Sequence, residues 1–154
     1  MKELELRVDV FFCQRIDPKQ DANRRSLERE LGDRIRFFPL PCGSRIETVH
    51  LMRSLEHGAD KVYLLACPPG MCRHQIVTGR AAKRLAYAQD LINEFGLEKD
   101  RLELVYADSR PASIDTFVRS LLDREATVGR SPLNNRQADG EATIGSARVA
   151  GGRG

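Results

Sequence analysis

The sequence has no apolar run approaching the roughly 20 residues that a membrane-spanning helix needs, and its opening stretch MKELELRV sets charges among its first apolar residues. Neither a spanning segment nor a cleaved secretory leader is expected. It also lacks a charge excess: 25 Lys and Arg stand against 22 Asp and Glu, leaving a formal +3 that is spread along the chain. Such a mixed composition predicts no nucleic-acid groove and no basic membrane patch. Histidine is scarce. Of His50, His57 and His74, the first two fall on one predicted helix, so no general-base constellation for catalysis is visible. Cysteine is scarce as well, with four in a chain of 154 residues that is long enough to bury one core without disulfide staples. The expectation is a soluble, cytoplasmic protein, and in that compartment four cysteines read more readily as metal or redox ligands than as structural disulfides.

What is present is a repeating order of strand and helix. Leu4, Leu6, Val8, Val10 and Phe12 alternate with Glu3, Glu5, Arg7 and Asp9, which predicts a strand with one buried face that stops at Cys13. After Pro18, the segment Lys19 to Leu31 carries Ala22, Leu27 and Leu31 at helical spacing until Gly32. Asp33 to Leu40 is rich in branched and aromatic residues and predicts a second strand, closed by Pro41 just before Cys42. Ser44 is placed to cap a helix with Glu47 as its reciprocal partner, followed by Ile46, Val49, Met52 and Leu55 up to Gly58. Asp60 to Ala66 holds the unbroken run VYLLA, which suits a central parallel strand covered on both faces, and it ends at Cys67. His74 to Phe95 predicts a third helix ending at Gly96, where a left-handed residue is wanted. Leu102, Leu104, Val105 and Tyr106 predict the fourth strand, and Ile114, Phe117, Val118, Leu121 and Leu122 the last helix.

Beyond Arg124 the composition changes, with six of the twelve glycines and no aromatic residue in 125–154. That segment cannot bury enough apolar surface to offset its ordering entropy. The expected organisation is an α/β domain over residues 1–124 and a flexible or disordered C-terminal tail over 125–154.

Strand and helix in alternation imply an open parallel four-stranded sheet with right-handed crossovers and helices on both faces. Ligands of such sheets bind beyond the carboxyl ends of the strands. If the order is the flavodoxin-like 2-1-3-4, the thiols of Cys13, Cys42 and Cys67, each just past a strand end, share one edge, and Cys72 can swing back to join them. Four thiolates suit either structural zinc or an iron-sulfur cluster. Structural zinc favours paired knuckles of two-residue spacing, whereas these spacings are long, which favours a cluster. Its net negative charge would be stabilised by helix N-termini and cations, and Arg15, Arg45 and Arg73 stand within three residues of a cysteine.

Two other chemistries compete for the same loop. Cys67, five residues and Arg73 match the spacing of the cysteine-phosphatase loop, but Pro68 and Pro69 remove two of the backbone donors that such a cradle needs. A thioredoxin-like dithiol would want a two-residue spacing that Cys67 and Cys72 do not have. A non-redox interaction module with structural zinc is the alternative from another class.

The stretch Cys67-Pro68-Pro69-Gly70-Met71-Cys72 resembles the delta subunit of methyl-viologen-reducing hydrogenase. Also part of that likeness are a strand ending in cysteine at the amino terminus, the Cys42-Gly43-Ser44-Arg45 turn, Gly58-Ala59-Asp60 before the third strand, and Gly79. The basic helix with Ala82 and Arg84, and Glu94-Phe95-Gly96-Leu97 leading to Arg101-Leu102, complete the ordered set. The resemblance implies one [2Fe-2S] cluster with Cys13, Cys42, Cys67 and Cys72 as ligands. It also implies the role of a non-catalytic electron-transfer subunit in a large anaerobic redox complex. Its electrons would come from a hydrogenase, a formate dehydrogenase or a ferredoxin-type donor and pass to a heterodisulfide-reductase-A-like flavoprotein. The family's first motif commonly carries several cysteines and a tryptophan, and here Cys13 stands alone, so a complete ligand set requires all four thiols.

Overall fold

In the computed structural model, which describes residues 2–68, 76–108 and 112–134, the predicted alternation is realised as β1 (Val8–Cys13), α1 (Gln20–Leu31), β2 (Ile35–Leu40), α2 (Thr48–Glu56), β3 (Lys61–Ala66), α3 (Ile76–Glu94), β4 (Leu102–Tyr106) and α4 (Ile114–Leu122). The four strands are all parallel, in the order β2-β1-β3-β4, as expected. Among the described residues no helix is long and apolar enough to cross a membrane.

Each sheet face has its own apolar cluster. Val10, Phe12, Phe37, Tyr63 and Leu65 point to the side where Leu27 of α1 and Ile114, Val118 and Leu122 of α4 cover them. Phe11, Val62, Leu64 and Leu102 point to the other side, under Leu51 and Leu55 of α2 and Ala81, Leu85, Ala88 and Ile92 of α3. Successive strand residues face opposite ways, so neighbouring phenylalanines serve both layers. Phe11 stacks on Phe38 at 4.9 Å, and Phe12 meets Phe37 edge-on at 6.1 Å. Gly96 closes the segment after α3 with φ +85, the left-handed conformation expected of it.

Three expectations change. The first strand does not keep one polar face: it begins at Val8, all six of its residues are buried, and Glu3–Glu5 form a short 3-10 turn before it. β1 is an interior strand with helices over both faces, so its one charge, Asp9, is buried and held by Arg36 through two bonds of 2.7 and 3.0 Å. The cap of α2 is Glu47, not Ser44. Its side chain accepts from the backbone of His50, whose Nδ1 in turn accepts the Glu47 N–H at 3.1 Å, while Gly43–Arg45 form a separate 3-10 turn.

The third change concerns the chain after Arg124. Residues 125–134 pack onto the domain: the backbone of Glu125 pairs with that of Lys2 in an isolated antiparallel bridge, and Val128 and Ser131 are buried. Asp60, itself buried, accepts from Ser131 N at 2.6 Å and Asn134 Nδ2 at 2.7 Å, and Arg101 donates to the Gly129 carbonyl at 2.9 Å. The remainder of the expected tail, 135–154, lies outside the described residues.

Candidate metal centre

The order in which strands are added to the sheet reverses at β1 and β3. From β1 the path goes by α1 on one face to β2; it then returns by α2 on the other face to β3 on the opposite side of β1. Loops leaving the carboxyl ends of β1 and β3 therefore diverge, and a crevice opens between them. Cys13 is the last residue of β1, and Cys67 follows directly on β3. The register pairs Phe12 with Leu65, so Cys13 comes level with Ala66 and Cys67 stands one residue beyond it on the neighbouring strand.

Their sulfurs are 3.7 Å apart, and both residues are buried, at 3% and 4% exposed. Two thiolates on one tetrahedral ion at ~2.3 Å would stand ~3.8 Å apart, whereas a disulfide needs ~2.05 Å. The pair can thus share one soft metal ion with no movement of the backbone. Both cysteines belong to the apolar cluster that also holds Ile16, Ala107 and Ile114. The neighbouring segments are tied by backbone bonds: Ala107 N donates to the Ala66 carbonyl and Ala112 N to the Ile16 carbonyl, both at 2.9 Å.

The loop after Cys13 is held by Asp17. Its carboxylate accepts from Lys19 N at 2.8 Å, Asn23 Nδ2 at 2.6 Å and Ile114 N at 2.9 Å, so one side chain caps α4 and stops the chain that leaves the cysteine from swinging. Burial pushes this carboxyl up, but the bonds from Ile114, Asn23 and Lys19 prevail and hold it below the ordinary aspartate value.

Cys42 lies at the same sheet edge, two residues past β2 and half-buried. Its neighbour Gly43 packs on the end of β3, where a methyl group in place of its hydrogen would meet Ala66 Cβ at 4.0 Å. Among the described residues, however, no three His, Cys, Asp or Glu side chains are gathered closely enough to hold an ion. The structure therefore joins Cys13 to Cys67 and leaves Cys42 beside them rather than within the pair. Cys72, Arg73 and the whole phosphatase-like loop after Pro68 fall on 69–75, outside the described residues. Arg15 and Arg45 are exposed, and water screens their charge.

Two residues not anticipated as part of the site hold the Cys42 turn. Ser44 Oγ donates to Cys42 Sγ at 3.4 Å, and Arg84 of α3 donates from one nitrogen to the carbonyls of Ser44 and Ile46, both at 2.7 Å. The local signal for Ser44 is its place two residues after a cysteine. Arg84 had no local signal, because its partners lie about 40 residues away.

Comparison with known proteins places residues 8–126 in the family described as methyl-viologen-reducing hydrogenase, delta subunit. An iron-sulfur subunit of the F420-non-reducing hydrogenase vhu, from Methanocaldococcus jannaschii, is 28% identical over 102 residues, covering 64% of this chain and 75% of its own. The protein of the same name from Methanococcus maripaludis is 24% identical over 100 residues, with the same shares. An iron-sulfur subunit of the F420-non-reducing hydrogenase of Archaeoglobus profundus is 28% identical over 103 residues, covering 67% and 74%.

Proposed function

Because the chain belongs to the delta-subunit family of methyl-viologen-reducing hydrogenase, we propose that it is an electron-transfer subunit of a hydrogenase-type complex, without a substrate site of its own. In this reading it carries one [2Fe-2S] cluster on Cys13, Cys42, Cys67 and Cys72. The observation that carries the reading is the pair of buried sulfurs 3.7 Å apart at the switch point of the sheet. Relatives named as iron-sulfur subunits support the choice of iron and sulfide over zinc.

Cys13 and Cys67 would hold the cluster from two adjacent strand ends, together with Cys42 and Cys72. The bound cluster provides acceptance and release of one electron at a time. The chain's part would be to present the sulfurs from fixed strand ends within the apolar cluster that holds Ile16, Ala107 and Ile114. Strand ends on a rigid sheet serve this better than loops, since little reorganisation accompanies a change of charge. The donor is a hydrogenase, a formate dehydrogenase or a ferredoxin-type protein, and the acceptor a heterodisulfide-reductase-A-like flavoprotein.

Anaerobically purified chain should be brown, contain about two iron and two acid-labile sulfide per chain, and give the reduced-state paramagnetic signal of a binuclear cluster. Serine at Cys13 or Cys67 should abolish or alter that signal. A colourless protein with stoichiometric zinc would sink the proposal.

A further inference from the structure

Residue Arg84 and the serine of the Cys42-Gly43-Ser44-Arg45 turn have contacts that ligand placement alone does not call for. A 3-10 turn of three residues could be tied down by its own backbone, and Arg45 N already donates to the Cys42 carbonyl at 2.9 Å. Yet Arg84 crosses from α3 to bind two further carbonyls of the segment, those of Ser44 and Ile46, and Thr48 Oγ1 at the start of α2 donates back to the Arg84 carbonyl at 3.4 Å. Among the described residues no carboxylate pairs with Arg84. Its guanidinium is therefore given to backbone oxygens. One bond holds the peptide that follows Ser44 and the other the peptide that follows Ile46, so the backbone of the turn that carries Ser44 is pinned while its hydroxyl donates to Cys42 Sγ at 3.4 Å.

Resting on the ligand role of Cys42 given above, we propose that Ser44 sets the reduction potential of the centre by donating a hydrogen bond to Cys42 Sγ, and that Arg84 is the positioning residue that aims it. The physical reason is differential. Gain of one electron leaves more negative charge on the ligand sulfurs, and an O–H donor binds a more negative acceptor more strongly. Ser44 thus stabilises the reduced state more than the oxidised one and raises the potential, with no proton transferred. The partly buried setting of Ser44 and Cys42 keeps the effect from being lost to solvent. Arg84 adds specificity, because a serine free to rotate would divide its time between sulfur and water.

The test is a redox titration of anaerobically purified full-length chain with dithionite, followed by the paramagnetic signal, for the parent, Ser44→Ala, Ser44→Thr, Arg84→Gln and the double variant. Iron and sulfide content are measured in each. Ser44→Ala should keep its iron and lower the one-electron reduction constant about tenfold, a negative shift of about 59 mV. Ser44→Thr, which keeps the hydroxyl, should lie closer to the parent. Arg84→Gln should shift the same way, and the double variant should add little to Ser44→Ala, because both act through one bond. An unchanged potential in an iron-replete Ser44→Ala chain overturns the role of Ser44. Full additivity in the double variant overturns the positioning role of Arg84. A parent chain without iron and sulfide overturns the ligand reading itself, a result readily told from the other two.

Discussion

Replacing Asp17 with alanine should cost the fold about 3 kcal/mol, and the loss should depend on pH. The carboxylate accepts three hydrogen bonds, from Lys19 N, Asn23 Nδ2 and Ile114 N, at 2.6 to 2.9 Å. A bond to a charged group contributes a net ~1.5–3 kcal/mol. The Ile114 N–H is buried and would be left unpaired, so that loss is felt in full. The other two donors are partly open to water and recover most of theirs, which brings the sum to about 3 kcal/mol. For a chain of this size, ~2–4 °C in Tm accompanies each kcal/mol, so thermal unfolding followed by circular dichroism at neutral pH should fall by about 6–12 °C. The carboxyl lies below its ordinary value of 3.8, burial being outweighed by the three donors. Its contribution is therefore present above the unfolded pKa and is lost as pH falls through the lower folded one. The gap between parent and variant should stay constant from neutral pH down to about 5 and close only in strong acid. A drop of less than about 2 °C at neutral pH, or a gap that widens on acidification, would show that Asp17 does not anchor this loop.

Three further predictions follow from the packing. Phe12→Ala empties a fully buried site between β1 and α1 and should cost ~3–5 kcal/mol in denaturant unfolding. Arg36→Met strips the buried Asp9 carboxylate of its bidentate partner, and the penalty should be about 2 kcal/mol, below the usual cost of a broken buried pair because Arg36 is 41% exposed. Burial raises the Asp9 pKa against the pull of Arg36 and Ser54, so the destabilisation should be largest at neutral pH and shrink as pH falls through the folded pKa; adding Asp9→Asn should restore most of the loss. A chain ending at Arg124 removes the buried Val128 and leaves Asp60 without Ser131 and Asn134, so its Tm should fall by several degrees, whereas an unchanged Tm would show the docking of 125–134 to be energetically idle.

Much of the fold was legible because its determinants are local. The VYLLA run of β3 has no polar residue to turn outward, and the structure covers both its faces. β1 was harder to read. Its alternation with Glu3, Glu5, Arg7 and Asp9 looks like a half-exposed strand, but the first three charges precede the strand and the fourth is neutralised by Arg36, 27 residues away. Ser44 misled in the same way: a serine before a helical pattern signals a cap, and nothing in the neighbouring residues says that its hydroxyl goes instead to Cys42. The docking of 125–134 was hidden because the segment has little apolar content, and much of its hold comes from distant partners, the buried Asp60 carboxylate and the Arg101 guanidinium.

That cysteines stand at the ends of the first three strands is written in the local pattern, since apolar periodicity sets where each strand stops. Which of them meet depends on the assembled sheet. Cys13 and Cys67 lie 54 positions apart, and it is the pairing of β1 with β3 in the strand order that sets their sulfurs 3.7 Å from each other. The tertiary structure likewise brought Arg84 to the Cys42 turn. Strand and helix follow from spacings of two and three to four residues, whereas contact across a sheet edge follows from strand order and crossover hand, which belong to the chain as a whole.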